Sequence, residues 1–220
     1  LSSRPSENHP GRWGMRRKRG RRGGAGQVIV GSMFSGKTSE LIRRLRNAEI
    51  ARESVMVFRP GRDVRSRRNH IQTHLRDRLE AVTVLSAADV LRRLPRGADV
   101  VGIDEAQFFD QEIVGVVKTL RNRGVRVVVA GLNQDFRGEP FGVMGELLAL
   151  ADDITHLKAV CSVCGSPDAT KSFRKVRSTE QVLAGGGREY EARCNSCWGN
   201  YPDEAGLGGS ARSGARRRRT

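Results

Sequence analysis

The chain has 220 residues, of which 37% are hydrophobic, and a formal net charge of +16. That length holds one ordinary domain with a small module or tails, and is too short for the paired nucleotide-binding domains of a helicase-type motor. No apolar run reaches the ~18 residues of a membrane span, and the N-terminus has charge without the apolar segment of a secretory signal, so cytoplasm is the expected compartment and no membrane partner is expected.

In chain order, residues 1–24 carry eight Arg or Lys against one Glu and neither Val nor Ile, and read as a disordered basic tail. The apolar run QVIV at 27–30 predicts a buried strand between Gly26 and Gly31. Residues 38–52 predict a helix with Leu41, Ile42, Leu45, Ala48 and Ile50 on one face. SVMVF at 54–58 is a second strand, ended by Pro60. The polar, Arg-rich stretch 61–80 reads as a loop. A strand at 82–85, a helix at 87–94 stopped by Pro95 and Gly97, and a strand at 99–103 lead to Asp104 and Glu105. Residues 111–123 predict a helix with Ile113, Val116, Val117 and Leu120 as its apolar face and Gly124 as its C-cap. VRVVVA at 125–130 is strongly strand-like, 141–150 reads as a helix and 154–160 as a last strand.

Strands alternating with helices, the central strands apolar almost throughout, predict an α/β fold: a parallel sheet covered on both faces. The alternation stops near Val160, which divides the chain into a main domain at 25–158 and a cysteine module at 159–202. Residues 203–220 read as a second disordered basic tail, with five Arg against Asp203 and Glu204. The two tails hold +10 of the +16 charge, so the remainder is only mildly basic. They read as solvated tails, or as an extension ahead of a start at Met15. Non-specific contact of the Arg runs 16–19 and 216–219 with nucleic acid is the alternative.

Gly31-Ser32-Met33-Phe34-Ser35-Gly36-Lys37-Thr38 fits GxxxxGK[ST], with a predicted strand before it and a helix after it. Such a loop curls its backbone N–H groups toward phosphates, and the helix N-terminus adds partial positive charge. Lys37 would reach the β- and γ-phosphates of ATP, and Thr38 would offer its hydroxyl to Mg²⁺. VVGI-Asp104-Glu105 supplies a carboxylate beside the loop: Asp104 for the metal, Glu105 either to polarise a water or to take a proton from an acceptor hydroxyl. Together these predict a P-loop NTPase of the RecA-like kind. Cys161-x-x-Cys164 and Cys194-x-x-Cys197 form two knuckles that can complete a tetrahedral structural Zn²⁺ site with no open position. A phosphotransferase and a nucleic-acid-dependent ATPase with a zinc ribbon both remain open on these residues alone.

Five blocks carry more. GSMFSGKTSELIRRL (31–45), DEAQFF (104–109), AGLNQDFRGEPFG (130–142), CSVCG (161–165) and QVLAGGGREYEARCNSC (181–197) resemble, in that order, the signature segments of the type II thymidine kinases. The resemblance covers roughly residues 26–198. It implies phosphoryl transfer from ATP to the 5′-hydroxyl of deoxythymidine, with Glu105 as base and Gln107 ordering the site. It implies that Phe136 stacks on the thymine ring and that Met33, Phe34 and Leu132 complete an apolar slot. A "lasso" loop including Gln181, Val182, Leu183, Ala184 and Gly185, with Tyr190, would close over the nucleoside. Asp63 and Arg65 match a further family segment, Arg65 as a phosphate clamp. A homotetramer is implied as well. Ser32 stands where the family has Pro, Asn133 where it has Asp, and the segment 61–80 departs most from the family pattern.

Overall fold

A computed structural model describes residues 24–61, 70–72, 78–178, 180–183 and 185–199. In chain order the first elements are β1 (Gly26–Gly31), α1 (Lys37–Ile50), β2 (Val55–Pro60), β3 (His70–Gln72), β4 (Arg78–Glu80), β5 (Val82–Val84) and α2 (Ala88–Arg93). There follow β6 (Val100–Ile103), a 3₁₀ turn (Ala106–Phe108), α3 (Glu112–Asn122), β7 (Arg126–Gly131), α4 (Met144–Ala149) and β8 (Asp153–Leu157). The cysteine module contributes β9 (Lys171–Arg174), β10 (Tyr190–Arg193) and α5 (Asn195–Gly199).

Six strands form one sheet in the order β5-β2-β6-β7-β1-β8, every pairing parallel. Successive side chains on a strand point to opposite faces, and the central strands feed two cores. Val28, Val30, Val127 and Val129 pack on one face with α2, α3 and α4 residues such as Val90, Ile113 and Leu147. Ile29, Val128 and Ala130 pack on the other with Leu41, Ile42 and Leu45 of α1. Covered on both sides, these strands cannot alternate apolar with polar, which is why their sequences are apolar runs.

The structure departs from the sequence reading at several edges. Ile50, expected on the buried face of α1, is 80% exposed; it is the last residue of the helix, and Ala48 is the last one buried. The fourth helix begins at Met144 rather than 141, since Pro140 and the left-handed Gly142 (φ 52°) hold the preceding segment out of helix. β8 stops at Leu157. The stretch expected as loop contains the antiparallel pair β3 and β4, whose Ile71 and Leu79 pack into the α1 core. Asp63 and Arg65 lie outside the described residues, as do the 1–23 and 200–220 segments. Among the described residues no helix is long and apolar enough to cross a membrane.

Candidate active site

The parallel register brings the C-terminal ends of β1, β6 and β7 to one edge: Val30 pairs with Gly131, and Ile103 with Val129. Crevices outside these strand ends are where open α/β sheets place ligands. The loop 31–38 lies there. A Cβ on Gly31 would sit 2.3 Å from the Leu157 carbonyl oxygen, and Gly36, at φ 86°, caps α1 in a left-handed conformation. Only glycine accepts both positions without strain. Lys37 Nζ donates to the Ser32 carbonyl at 2.7 Å, and Thr38 Oγ1 lies 3.4 Å from both Asp104 carboxylate oxygens. That spacing fits a hydroxyl and a carboxylate sharing a small hard cation.

Two members of the loop face elsewhere. Ser32 Oγ donates to the Ala169 carbonyl at 3.2 Å, and the Met33 N–H donates to Ser172 Oγ at 2.9 Å. The phosphate loop is thereby bonded directly to the cysteine module. Phe34, expected in the apolar slot, sits at φ 64° and is 41% exposed; the left-handed turn carries its side chain away from the slot.

Asp104 is 7% exposed. Burial, and after it the neighbouring Glu105 carboxylate, push its carboxyl up to about 7. Glu105 occupies a left-handed conformation (φ 51°, ψ 43°), unusual for a residue with a side chain. The 3₁₀ turn that follows places Gln107, 3% exposed, directly beneath it. Gln107 Nε2 donates to Glu105 Oε2 at 2.5 Å, while its Oε1 accepts the Leu132 N–H at 3.0 Å. One buried amide thus ties the Glu105 carboxylate to the backbone of the strand end beside it. The cost of the strained backbone, of order 1–3 kcal/mol, is spent on a fixed carboxylate position.

A small cleft opens next to Leu132, whose N–H is bonded to Gln107. Met33, Leu132, Phe136 and Tyr190, which the resemblance assigns to the nucleoside site, line it together with Gln181, Val182 and Leu183 of the loop between β9 and β10. Gly185 is half-buried in the same loop without lining the cleft, and Ala184 lies outside the described residues. Six lining residues carry no role in the sequence reading: Phe108, Gln134, Asp135, Phe141, Ser172 and Arg174. Phe108 and Phe141 meet edge to face at 5.6 Å, and both stand inside the quoted sequence blocks. Asp135 accepts from the Arg137 and Glu139 N–H groups and from Gln181 Nε2, so a buried carboxylate remains in this turn although Asn133 lacks one. The Phe136 ring carries the Arg174 guanidinium on one face, 3.6 Å from its centroid. Nothing in the sequence marks Arg174, a charged residue in an ordinary-looking strand.

The four cysteine sulfurs lie within 4.8 Å of one another, with Cys164 and Cys194 3.7 Å apart. A tetrahedron with metal–sulfur bonds of ~2.3 Å requires sulfurs about 3.8 Å apart, so the four residues fit a closed four-thiolate site. The Cys194 backbone hydrogen bond lowers the Cys161 thiol to about 6, while the Cys164 and Cys194 side chains raise Cys197 to about 12. β9 and β10 pair antiparallel between the knuckles, with Tyr190 opposite Arg174 and Arg193 opposite Lys171. The loop 175–189 therefore springs from a hairpin whose base is pinned by the cysteine cluster.

A family model described as thymidine kinase matches residues 24–198. The chain belongs to the thymidine kinase family. Proteins named thymidine kinase from two strains of Porphyromonas gingivalis are each 48% identical to it over 177 residues, covering 80% of this chain and 86% of the relative. The match spans the loop 31–38, the Asp104–Glu105 pair, the cleft and both cysteine knuckles, and the chain is an enzyme of that family. The nucleic-acid-dependent ATPase kept open by the motifs finds no support in these matches.

Proposed function

We propose that the protein transfers the γ-phosphate of ATP to the 5′-hydroxyl of deoxythymidine, with Glu105 as the base that takes the hydroxyl proton. The observation that carries this reading is the Gln107 clamp, which ties the Glu105 carboxylate, next to Asp104, to Leu132 of the apolar cleft. A base must stand within hydrogen-bond reach of its proton, and a nucleoside seated in the cleft would bring its 5′ end to this carboxylate. Gly31 to Thr38 cradle the triphosphate, with Lys37 neutralising charge on the transferring group. Thr38 and Asp104 hold Mg²⁺, which would stabilise the charge that develops during in-line transfer. Phe136, Leu132 and Met33 seat the base, and the loop with Gln181 to Gly185 and Tyr190 covers it, excluding the water that would otherwise be phosphorylated. The four cysteines hold structural Zn²⁺, which anchors that loop. Asp63 and Arg65 support the phosphates. The functional unit is a cytoplasmic homotetramer whose main domain, 25–158, and zinc module, 159–202, share the substrate cleft.

The decisive experiment is a coupled assay with Mg-ATP that compares thymidine, deoxycytidine, deoxyadenosine and single-stranded DNA as stimulants of ADP release. Thymidine-dependent ADP release with formation of the monophosphate is expected. ADP release stimulated by DNA alone would remove the kinase reading and every nucleoside contact with it.

A further inference from the structure

Arg174 is the last residue of β9 and Tyr190 the first of β10, and the two are direct cross-strand partners. Between them runs the whole loop 175–189. Arg174 is 6% exposed, and buried arginines are rare unless their donors are satisfied. Here Nε and Nη2 both donate to the Tyr190 hydroxyl, at 3.2 and 2.8 Å. Nη2 also donates to the Gln181 carbonyl at 3.0 Å, and Nη1 donates to the carbonyls of Ser178, at 3.2 Å, and Glu180. The Tyr190 hydroxyl donates in turn to the Leu183 carbonyl at 3.1 Å. The flat side of the guanidinium lies against Phe136. One planar fork therefore links three loop carbonyls, the phenol at the loop's far end and the aromatic wall of the cleft.

We propose that Arg174 is the positioning residue of the nucleoside loop, setting the path of Ser178 and of residues 180–183 over the cleft so that their main chain meets the substrate. The proposal rests on the kinase reading for the identity of that substrate. A lysine cannot do this: its ammonium is a point charge with three donors and no plane to lie on a ring. The loss of several charge-assisted hydrogen bonds at the loop, and of little at the phosphate loop, separates the two substrates kinetically.

The test uses the full chain with its zinc and compares wild type with R174Q, R174K and Y190F. R174Q is expected to raise the KM for thymidine roughly tenfold or more, leaving the KM for ATP within about twofold. Trypsin cleavage after the exposed Lys175, Arg177 and Arg188 is expected to speed up by a similar factor. R174K should resemble R174Q in both readouts, and Y190F, which removes only the hydroxyl, should raise the thymidine KM about threefold. Unchanged thymidine KM and loop cleavage in R174Q would overturn the proposal. So would full rescue by R174K, which would make Arg174 a buried charge only, or equal losses for both substrates. If the wild-type chain failed to phosphorylate thymidine, the kinase reading would fall, and the cleavage rates would still decide whether Arg174 holds the loop.

Discussion

Replacing Asp104 with Asn should make the free protein more stable and the enzyme nearly inactive. The Asp104 carboxyl is held at about 7, against 3.8 for an unperturbed aspartate, chiefly by burial and then by Glu105. In the folded state it keeps its proton until pH approaches 7, whereas in the unfolded chain it loses it near 3.8. Its ionisation therefore destabilises the fold progressively as pH rises from 3.8 through 7, and fully above 7. At about 1.4 kcal/mol for each tenfold change in proton affinity, the full difference is on the order of 4 kcal/mol. Asn keeps an acceptor for Thr38 and offers its amide to Glu105, but its own burial is not free, so about half of that, ~2 kcal/mol, should appear as a gain. For a folded region of this size that corresponds to roughly 4–8 °C in Tm. The measurement is thermal unfolding of both proteins at pH 8 and pH 4.5 without nucleotide or Mg²⁺, alongside turnover with Mg-ATP. D104N should melt higher at pH 8, lose that advantage at pH 4.5, and gain less stability than wild type when Mg-ATP is added. A D104N protein that melts at or below wild type at pH 8, or that is equally favoured at both pH values, would refute the reasoning.

Other outcomes follow from the same geometry. E105Q should lower kcat by about 10²–10⁴ while ATP binding, measured by fluorescent-nucleotide titration, is unchanged; wild-type turnover would remove Glu105 as base. F136A should raise the thymidine KM well above any change in the ATP KM, because the ring forms the cleft wall with Leu132 and Tyr190; an effect on ATP alone would assign the ring elsewhere. C161S should cost most of the bound zinc by metal analysis and weaken thymidine binding through the loop the cluster anchors; full zinc occupancy would exclude Cys161 as a ligand.

Much of this protein is legible from its sequence because the signals are local. The phosphate loop announces itself since its glycines, lysine and hydroxyl act at fixed spacing along one turn of chain. The cysteine knuckles do so for the same reason, and the apolar runs of β1 and β7 report burial on both faces without any partner being known. The resemblance blocks add order, and they contain Phe108 and Phe141, whose place in the cleft they leave unsaid. Helix and strand ends are less legible. Ile50 continues the apolar pattern of α1 yet is exposed at the helix end, and Ile71 and Leu79 are two apolar residues in a polar stretch that pack with the α1 residues Leu41, Ile42 and Leu45.

Tertiary structure alone decides what depends on residues far apart in the chain. The Met33 N–H meets Ser172 and the Gln107 amide meets Leu132 only when the sheet and the hairpin have been assembled. Arg174 is the clearest instance. In sequence it is one charge among many in a basic chain, and a charged side chain is ordinarily solvated. The antiparallel pairing of β9 with β10 sets it opposite Tyr190, against Phe136 and beneath the loop carbonyls, and burial there makes every donor count. Sequence fixes the chemistry each residue can offer; the fold determines which groups come close enough, and dry enough, to use it.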